Sequence, residues 1–180
     1  MAAAPTRLLD PLFLSTAVIV FVTDQVTKTI ILSTLGSTGP RSVEVLGDYV
    51  RLSFVTNSGS AFGLVQNSSG VIAIISLFVV PALFFSRAFL SDPSFLVRLC
   101  LGLLVGGALG NLVDRLRLGY VVDFVDVGIG ALRWPAFNVA DSSFVVGVIT
   151  LIALTTVLGH TLDRAPNKDL GPQTRQDTVS

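Results

Sequence analysis

The chain has 180 residues, of which 51% are hydrophobic and 13% charged, with a mean hydropathy of +0.76. A soluble domain carries roughly 25% charged residues, so about half the usual charge is missing and lipid is the expected solvent for much of the surface. Twelve basic and twelve acidic residues cancel, which gives no reason to expect a nucleic-acid partner. The lone Cys100 lies in an apolar run with no neighbouring base to favour a thiolate, and is read as a packing residue.

Four apolar segments follow in chain order: about Pro11 to Leu32, Val71 to Leu90, Phe95 to Val113 and Ser142 to Gly159. Each approaches the roughly 20 residues that cross the hydrocarbon core as a helix. In lipid the backbone must satisfy its own hydrogen bonds, so helices are expected. Arg7 and the run Pro11 to Val22 resemble the start of a cleaved leader. No small-x-small site follows, and the stretch reads as part of a retained helix. Pro81 is expected to kink the second segment, and Ser91-Asp92-Pro93-Ser94 forms a short turn before the third.

The first long connection contains Ser42 to Val45 and Tyr49 to Val55 around Leu46-Gly47-Asp48, which reads as a β-hairpin. The second runs from Asp114 to Asp141. The expected architecture is therefore an all-α membrane bundle of four helices, with a small hairpin and a loop between helices three and four. It forms one domain over residues 1–162, and a polar tail over 163–180 is expected to be disordered.

Four crossings put both termini on one side and both long connections on the other. The basic residues divide evenly between the sides, with Arg7, Arg87, Arg98, Arg164, Lys168 and Arg175 on the terminal side. Setting Lys28 and Arg115 against adjacent acids leaves a bias toward cytoplasmic termini.

The same topology gathers the unusual polar residues at the loop-side end. Asp24 and Lys28 lie late in helix one, Asn111, Asp114 and Arg115 end helix three, and Asn138 and Asp141 open helix four. Asp123 lies between. A carboxylate in mid-membrane costs about 2.5–3.5 kcal/mol, so a cluster is read as a functional site facing the bundle interior. Simpler roles exist for several members. Asp24 and Lys28 can neutralise each other at i,i+4, Asn111 and Asp114 can terminate helix three, and Arg115 can meet lipid headgroups. Asp141 suits a helix N-terminus, and Asp126 reads as a solvated loop charge. Asp123, inside Tyr120-Val121-Val122-Asp123-Phe124-Val125, has the least comfortable structural explanation.

The only histidine, His160, falls at the far end of helix four. That argues against histidine-based nucleophilic catalysis and against an H-E-x-x-H zinc site. Two close carboxylates sharing a proton remain as the chemical engine, and Asp123 with Asp141 is the pair expected at the wet end. Gly102, Gly106 and Gly110, with Gly107 and Ala108, suit close helix packing. A proton relay in a transporter subunit and a purely structural bundle are the competing readings.

Five segments resemble the lipoprotein signal peptidases (signal peptidase II) in order. Asp24-Gln25-Val26-Thr27-Lys28 is similar to D-Q-x-x-K, and Asn57-Ser58-Gly59-Ser60-Ala61-Phe62-Gly63 to N-x-G-x-A-F-G. Gly106 to Arg115 resembles G-G-x-x-G-N-x-x-D-R, Val122-Asp123-Phe124 matches V-D-F, and Phe137 to Ser142 resembles F-N-x-A-D-S. Ser60 stands where the family more often has Ala.

This resemblance implies an aspartyl endopeptidase with Asp123 and Asp141 as its dyad. Asp24, Lys28, Asn57, Asn111, Asp114, Arg115 and Asn138 would support or line the site, with no metal and no cofactor. Its substrate would be a prolipoprotein in the bacterial cytoplasmic membrane, cut just before a diacylglyceryl-modified cysteine at the extracytoplasmic face. Globomycin-like peptides would inhibit it, the hairpin would be a β-cradle, and Gly119 to Arg133 would form a mobile flap.

Overall fold

The computed structural model of the chain describes residues 10–36, 41–59, 69–86 and 94–163. Within these, four helices and a four-stranded sheet follow in the order α1 (Pro11–Ile31), β1 (Ser42–Leu46), β2 (Val50–Asn57), α2 (Ser69–Ser86), α3 (Phe95–Leu118), β3 (Val121–Ile129), β4 (Leu132–Arg133) and α4 (Val139–Asp163). Residues 164–180 and Ser60 to Gly63 lie outside the described residues.

Helix α1 starts where Asp10 accepts a hydrogen bond from the Phe13 amide at 3.1 Å and Pro11 opens the first turn. It continues into a π-helical turn over Leu32–Gly36. Helix α3 begins on Ser94 and ends at Gly119, whose φ of 79° closes the last turn onto the Arg115 carbonyl. Asn111, Asp114 and Arg115 therefore sit inside the last two turns of α3, with the helix running on to Leu118. Among the described residues, α1 with its π turn and α3 have the length and apolarity to cross a membrane. The apolar stretches of α2 and α4, Val71–Leu83 and Val139–Leu154, are shorter.

Helix α3 is the hub and packs on the other three helices. Glycines make the close approach possible. A Cβ on Gly106 would stand 2.6 Å from the Ala17 carbonyl oxygen of α1, and one on Gly107 would stand 2.5 Å from the Ala140 carbonyl oxygen of α4. Phe13, Ala17, Leu101, Leu104 and Val105 fill the α1–α3 seam, and Cys100 is buried beside it.

The sheet is larger than the expected hairpin. Its order is β1-β2-β3-β4, each neighbour antiparallel. Gly47, with φ of 50°, turns β1 into β2. The segment expected as a loop or flap between helices three and four is instead β3 and β4, with β3 paired along β2 from Val50↔Val127 to Asn57↔Val121. Val121, Val122, Val125 and Val127, with Phe124, favour a strand here. The fold is thus helical with an integral sheet rather than all-α. Ile31 and Leu35 pack with Val122 and Phe124, seating the sheet on the end of α1.

Replacing Gly106 by Val is expected to destabilise the protein by about 1–3 kcal/mol through overpacking at the α1–α3 seam. Thermal unfolding in detergent would show it as a lowered Tm.

Candidate active site

The polar cluster expected at one end of the helices is assembled there around Lys28. Lys28 is 3% exposed, and its ammonium makes three contacts. It lies 2.8 Å from Asp24 Oδ2, 2.9 Å from Asp114 Oδ2 and 2.9 Å from Asn111 Oδ1. The i,i+4 pairing of Asp24 with Lys28 exists, but it is only one arm of a larger network.

Each carboxylate in that network holds a different element. Asp24 Oδ1 accepts from the Ala140 amide at 2.9 Å, in the first turn of α4, where a backbone N–H has no partner within the helix. Asp114 Oδ2 accepts from the Val122 amide at 3.1 Å, at the start of β3. Gln25 ties the two together, donating to Asp24 Oδ2, Asp114 Oδ1 and the Gly110 carbonyl. Gly110 leaves the space for the Asp24 carboxylate, because a Cβ there would collide with it. The backbone positions that carry Asp123 and Asp141 are therefore both fastened to one buried ion cluster.

Asp123 is 2% exposed. Its Oδ1 accepts from Asn138 Nδ2 at 2.7 Å and its Oδ2 from Asn57 Nδ2 at 3.0 Å. Asn57, the last residue of β2, pairs with Val121 across the sheet, which brings its amide alongside Asp123. Asp141 Oδ1 accepts from Asn111 Nδ2 at 2.7 Å, and its Oδ2 accepts from the Asn138 amide at 3.2 Å. The Asp141 amide in turn donates to Asn138 Oδ1 at 2.8 Å. This reciprocal pair is a capping box that starts α4. Asn138, fully buried, thus touches both aspartates.

The orientation of these amides follows from neighbours that only donate. Lys28 takes Asn111 Oδ1, turning its NH₂ toward Asp141, and the Gly59 amide takes Asn57 Oδ1 at 2.9 Å, turning its NH₂ toward Asp123. Burial, then the negative charge of Asp141, pushes the Asp123 carboxyl from 3.8 up to about 6, against the opposing bonds from Asn57 and Asn138.

Arg115 is half-buried. Its Nη1 donates to the Asn111 carbonyl at 3.2 Å, and among the described residues its buried Nε has no partner. It stands with Asn111 and Asp141 at the end of a cleft of about 360 Å³ between α2, α3 and α4, walled by Ile72, Ile75, Val79 and Phe144. Asp126, expected as a solvated charge, is instead half-buried on β3. It accepts from Arg133 Nε at 2.6 Å and Ser53 Oγ at 3.3 Å, because strand pairing brings those groups beside it. The residue the sequence reading passed over is Gln25, whose signal was a primary amide next to Asp24 in an otherwise apolar helix.

The arrangement supplies two carboxylates bridged by Asn138, with Asp141 lining the apolar cleft and Asp123 buried behind it. Among the described residues each of their four oxygens has one hydrogen-bond donor, which leaves lone pairs for a proton and a water.

The family model for signal peptidase (SPase) II, Peptidase_A8, matches residues 16–157. The chain belongs to this family. A lipoprotein signal peptidase of Moorella thermoacetica is 42% identical over 139 residues, covering 77% of this chain and 89% of that protein. That of Mycobacterium tuberculosis strain H37Rv is 41% identical over 169 residues, covering 90% and 78%. A solved structure described as a bacterial membrane enzyme, determined in meso at 1.9 Å, matches with a TM-score of 0.73 at 32% identity over 84% of this chain and 97% of its own. This protein is accordingly a member of a bacterial protease family of the membrane, acting on the signal peptides of prolipoproteins.

Lys28→Met would leave Asp24 and Asp114 buried without a cation, at an expected cost of about 3–5 kcal/mol. Unfolding in detergent should show that loss, with Lys28→Arg restoring part of it.

Proposed function

We propose that the protein is an aspartyl endopeptidase in which Asp123 and Asp141 activate water, cutting diacylglyceryl-modified prolipoproteins just before the lipid-bearing cysteine. The observation that carries this reading is Asn138, whose side-chain amide donates to Asp123 while its backbone N–H donates to Asp141, the carboxylate that lines the α2–α4 cleft.

In the resting pair a single proton is drawn to Asp123, whose raised pKa favours its neutral form. The Asp141 carboxylate takes a proton from water as the water oxygen bonds to the scissile carbonyl carbon. The Asp123 hydroxyl donates to the carbonyl oxygen, stabilising the charge that develops there. The carbon–nitrogen bond then breaks and the amine leaves with the proton held by Asp141. Asn57, Asn111 and Asn138 hold the dyad, Lys28 with Asp24 and Asp114 holds the elements that bear it, and Arg115 meets the substrate backbone at the cleft end.

All four helices cross the membrane in this reading, with residues 1–162 as one domain and both termini cytoplasmic. Exposed apolar side chains along α2 and α4, such as Ile74, Phe78, Val146 and Ile149, support lipid on those flanks. The dyad then lies at the extracytoplasmic face, where a lipid-anchored substrate arrives laterally and lays its apolar signal segment in the cleft. Globomycin-like peptides would compete for the same cleft.

Asp123→Asn and Asp141→Asn are each expected to lower kcat by about 10²–10⁴-fold, the loss typical of removing a proton-transfer group. Cleavage of a purified diacylglyceryl-modified prolipoprotein measures it, and full activity in either variant removes that residue from the dyad.

Because the folded state holds the Asp123 proton more tightly than the unfolded chain, this group's contribution to stability falls as pH rises from 3.8 through about 6. The catalytic form loses the same proton, so kcat/KM should fall on the alkaline side through an apparent value near 6. Asn57→Ala deletes a donor that favours the carboxylate, and a pH profile should show that limb moved to higher pH.

A further inference from the structure

The hairpin formed by β3 and β4 has two unlike faces. Register pairs Ile129 with Leu132 and Gly128 with Arg133, and the Trp134 amide donates to the Val127 carbonyl at 2.8 Å. Side chains alternate along a strand, so Val127, Ile129, Leu132 and Trp134 share one face. They are 38%, 67%, 83% and 70% exposed, respectively.

The other face is polar and firmly held. Arg133 donates to Asp126 Oδ1 at 2.6 Å, to the Asp126 carbonyl at 3.1 Å and to the Asp48 carbonyl at 2.8 Å. Asp48 also accepts from Arg51 and from the Gly130 amide. The hairpin tip is thereby tied to the β1–β2 turn through charged groups, which fixes which way its apolar face points. Four large apolar side chains locked outward form an amphipathic element.

We propose that this face rests in the membrane interface, in the leaflet on the sheet side, with Trp134 at headgroup depth and Ile129 and Leu132 against the acyl chains. Three observations favour lipid as the occupant. The hairpin leads into α4, which begins at Val139, carries exposed Val145, Val146, Ile149 and Ile152, and faces lipid in the reading proposed above. The residue mixture, aliphatic groups at the tip and a tryptophan behind them, is the one that membrane interfaces favour. The tip also lies six residues along β3 from Asp123, about 20 Å at roughly 3.3 Å per residue. A strand standing upright would hold the apolar tip in water, whereas a strand lying along the bilayer covers it. By the same alternation, the face turned toward lipid is the one that carries Asp123.

Trp134 is the only tryptophan in the chain, so intrinsic fluorescence reports on this face alone. The full chain would be placed in nanodiscs of phosphatidylethanolamine and phosphatidylglycerol, which leave both faces open to the bulk. Emission would then be recorded with iodide in water and with phospholipids brominated close to the headgroup. Blue-shifted emission, strong quenching by the brominated lipid and several-fold protection from iodide are expected. Leu132→Asp and Ile129→Asp, at exposed positions that leave the polar latch intact, should each restore iodide quenching and move the emission to the red. Water-like emission with full iodide access in the wild type would overturn the proposal. So would lipid quenching that appears only after a lipidated peptide substrate is added, since that result assigns the face to substrate. No outcome depends on cleavage activity, so the test stands apart from the catalytic proposal.

Discussion

A carboxylate withdrawn from water must be given a cation, a set of donors or a proton, and the structure is organised around how that requirement is met four times in one small volume. Lys28 meets it for Asp24 and Asp114 at once. The ammonium has three protons, and its third contact goes to Asn111 rather than to another acid. Each of the three partners leads onward. Asp24 reaches α4, Asp114 reaches β3, and Asn111 reaches the Asp141 carboxylate. One buried cation therefore fixes the relative placement of a helix, a strand and a side chain that are distant in sequence.

Asp123 and Asp141 are treated differently. Amides from Asn57, Asn111 and Asn138 surround them, and among the described residues no cation lies within ion-pair distance of either. Burial, then the negative charge of Asp141, raises the Asp123 pKa to about 6 against the amide donors. The two acid pairs differ in their partners, an ammonium for Asp24 and Asp114 and carboxamides for Asp123 and Asp141.

Much of this was legible in the residues. Apolar runs marked the helices, and the expectation of an even number of crossings put Asp24, Asp114, Asn138 and Asp141 at one end before any coordinates. The glycine spacing along α3 pointed to close packing, and Gly106 and Gly107 sit where a side chain would strike backbone. The hairpin was readable from Gly47 and its flanking valines. The β3–β4 segment was not. Its pairing partner, β2, lies more than sixty residues earlier, and a register that contains a bulge between Leu52 and Val55 leaves no local trace. For the same reason Asp126 looked solvated, since only the folded sheet brings Arg133 and Ser53 to it. Gln25 was hidden by its own neutrality, because hydropathy marks charges in a membrane helix more sharply than amides.

The coupling of the two aspartates is most directly tested by titrating Asp123 itself. The carboxyl stretch of the protonated acid, followed by isotope-edited infrared spectroscopy in the wild type and in Asp141→Asn, reads that proton without any turnover. A midpoint near 6 in the wild type, moving to lower pH when the Asp141 charge is removed, is the expected result. A midpoint in the ordinary carboxylate range, unchanged by Asp141→Asn, would contradict a coupled pair.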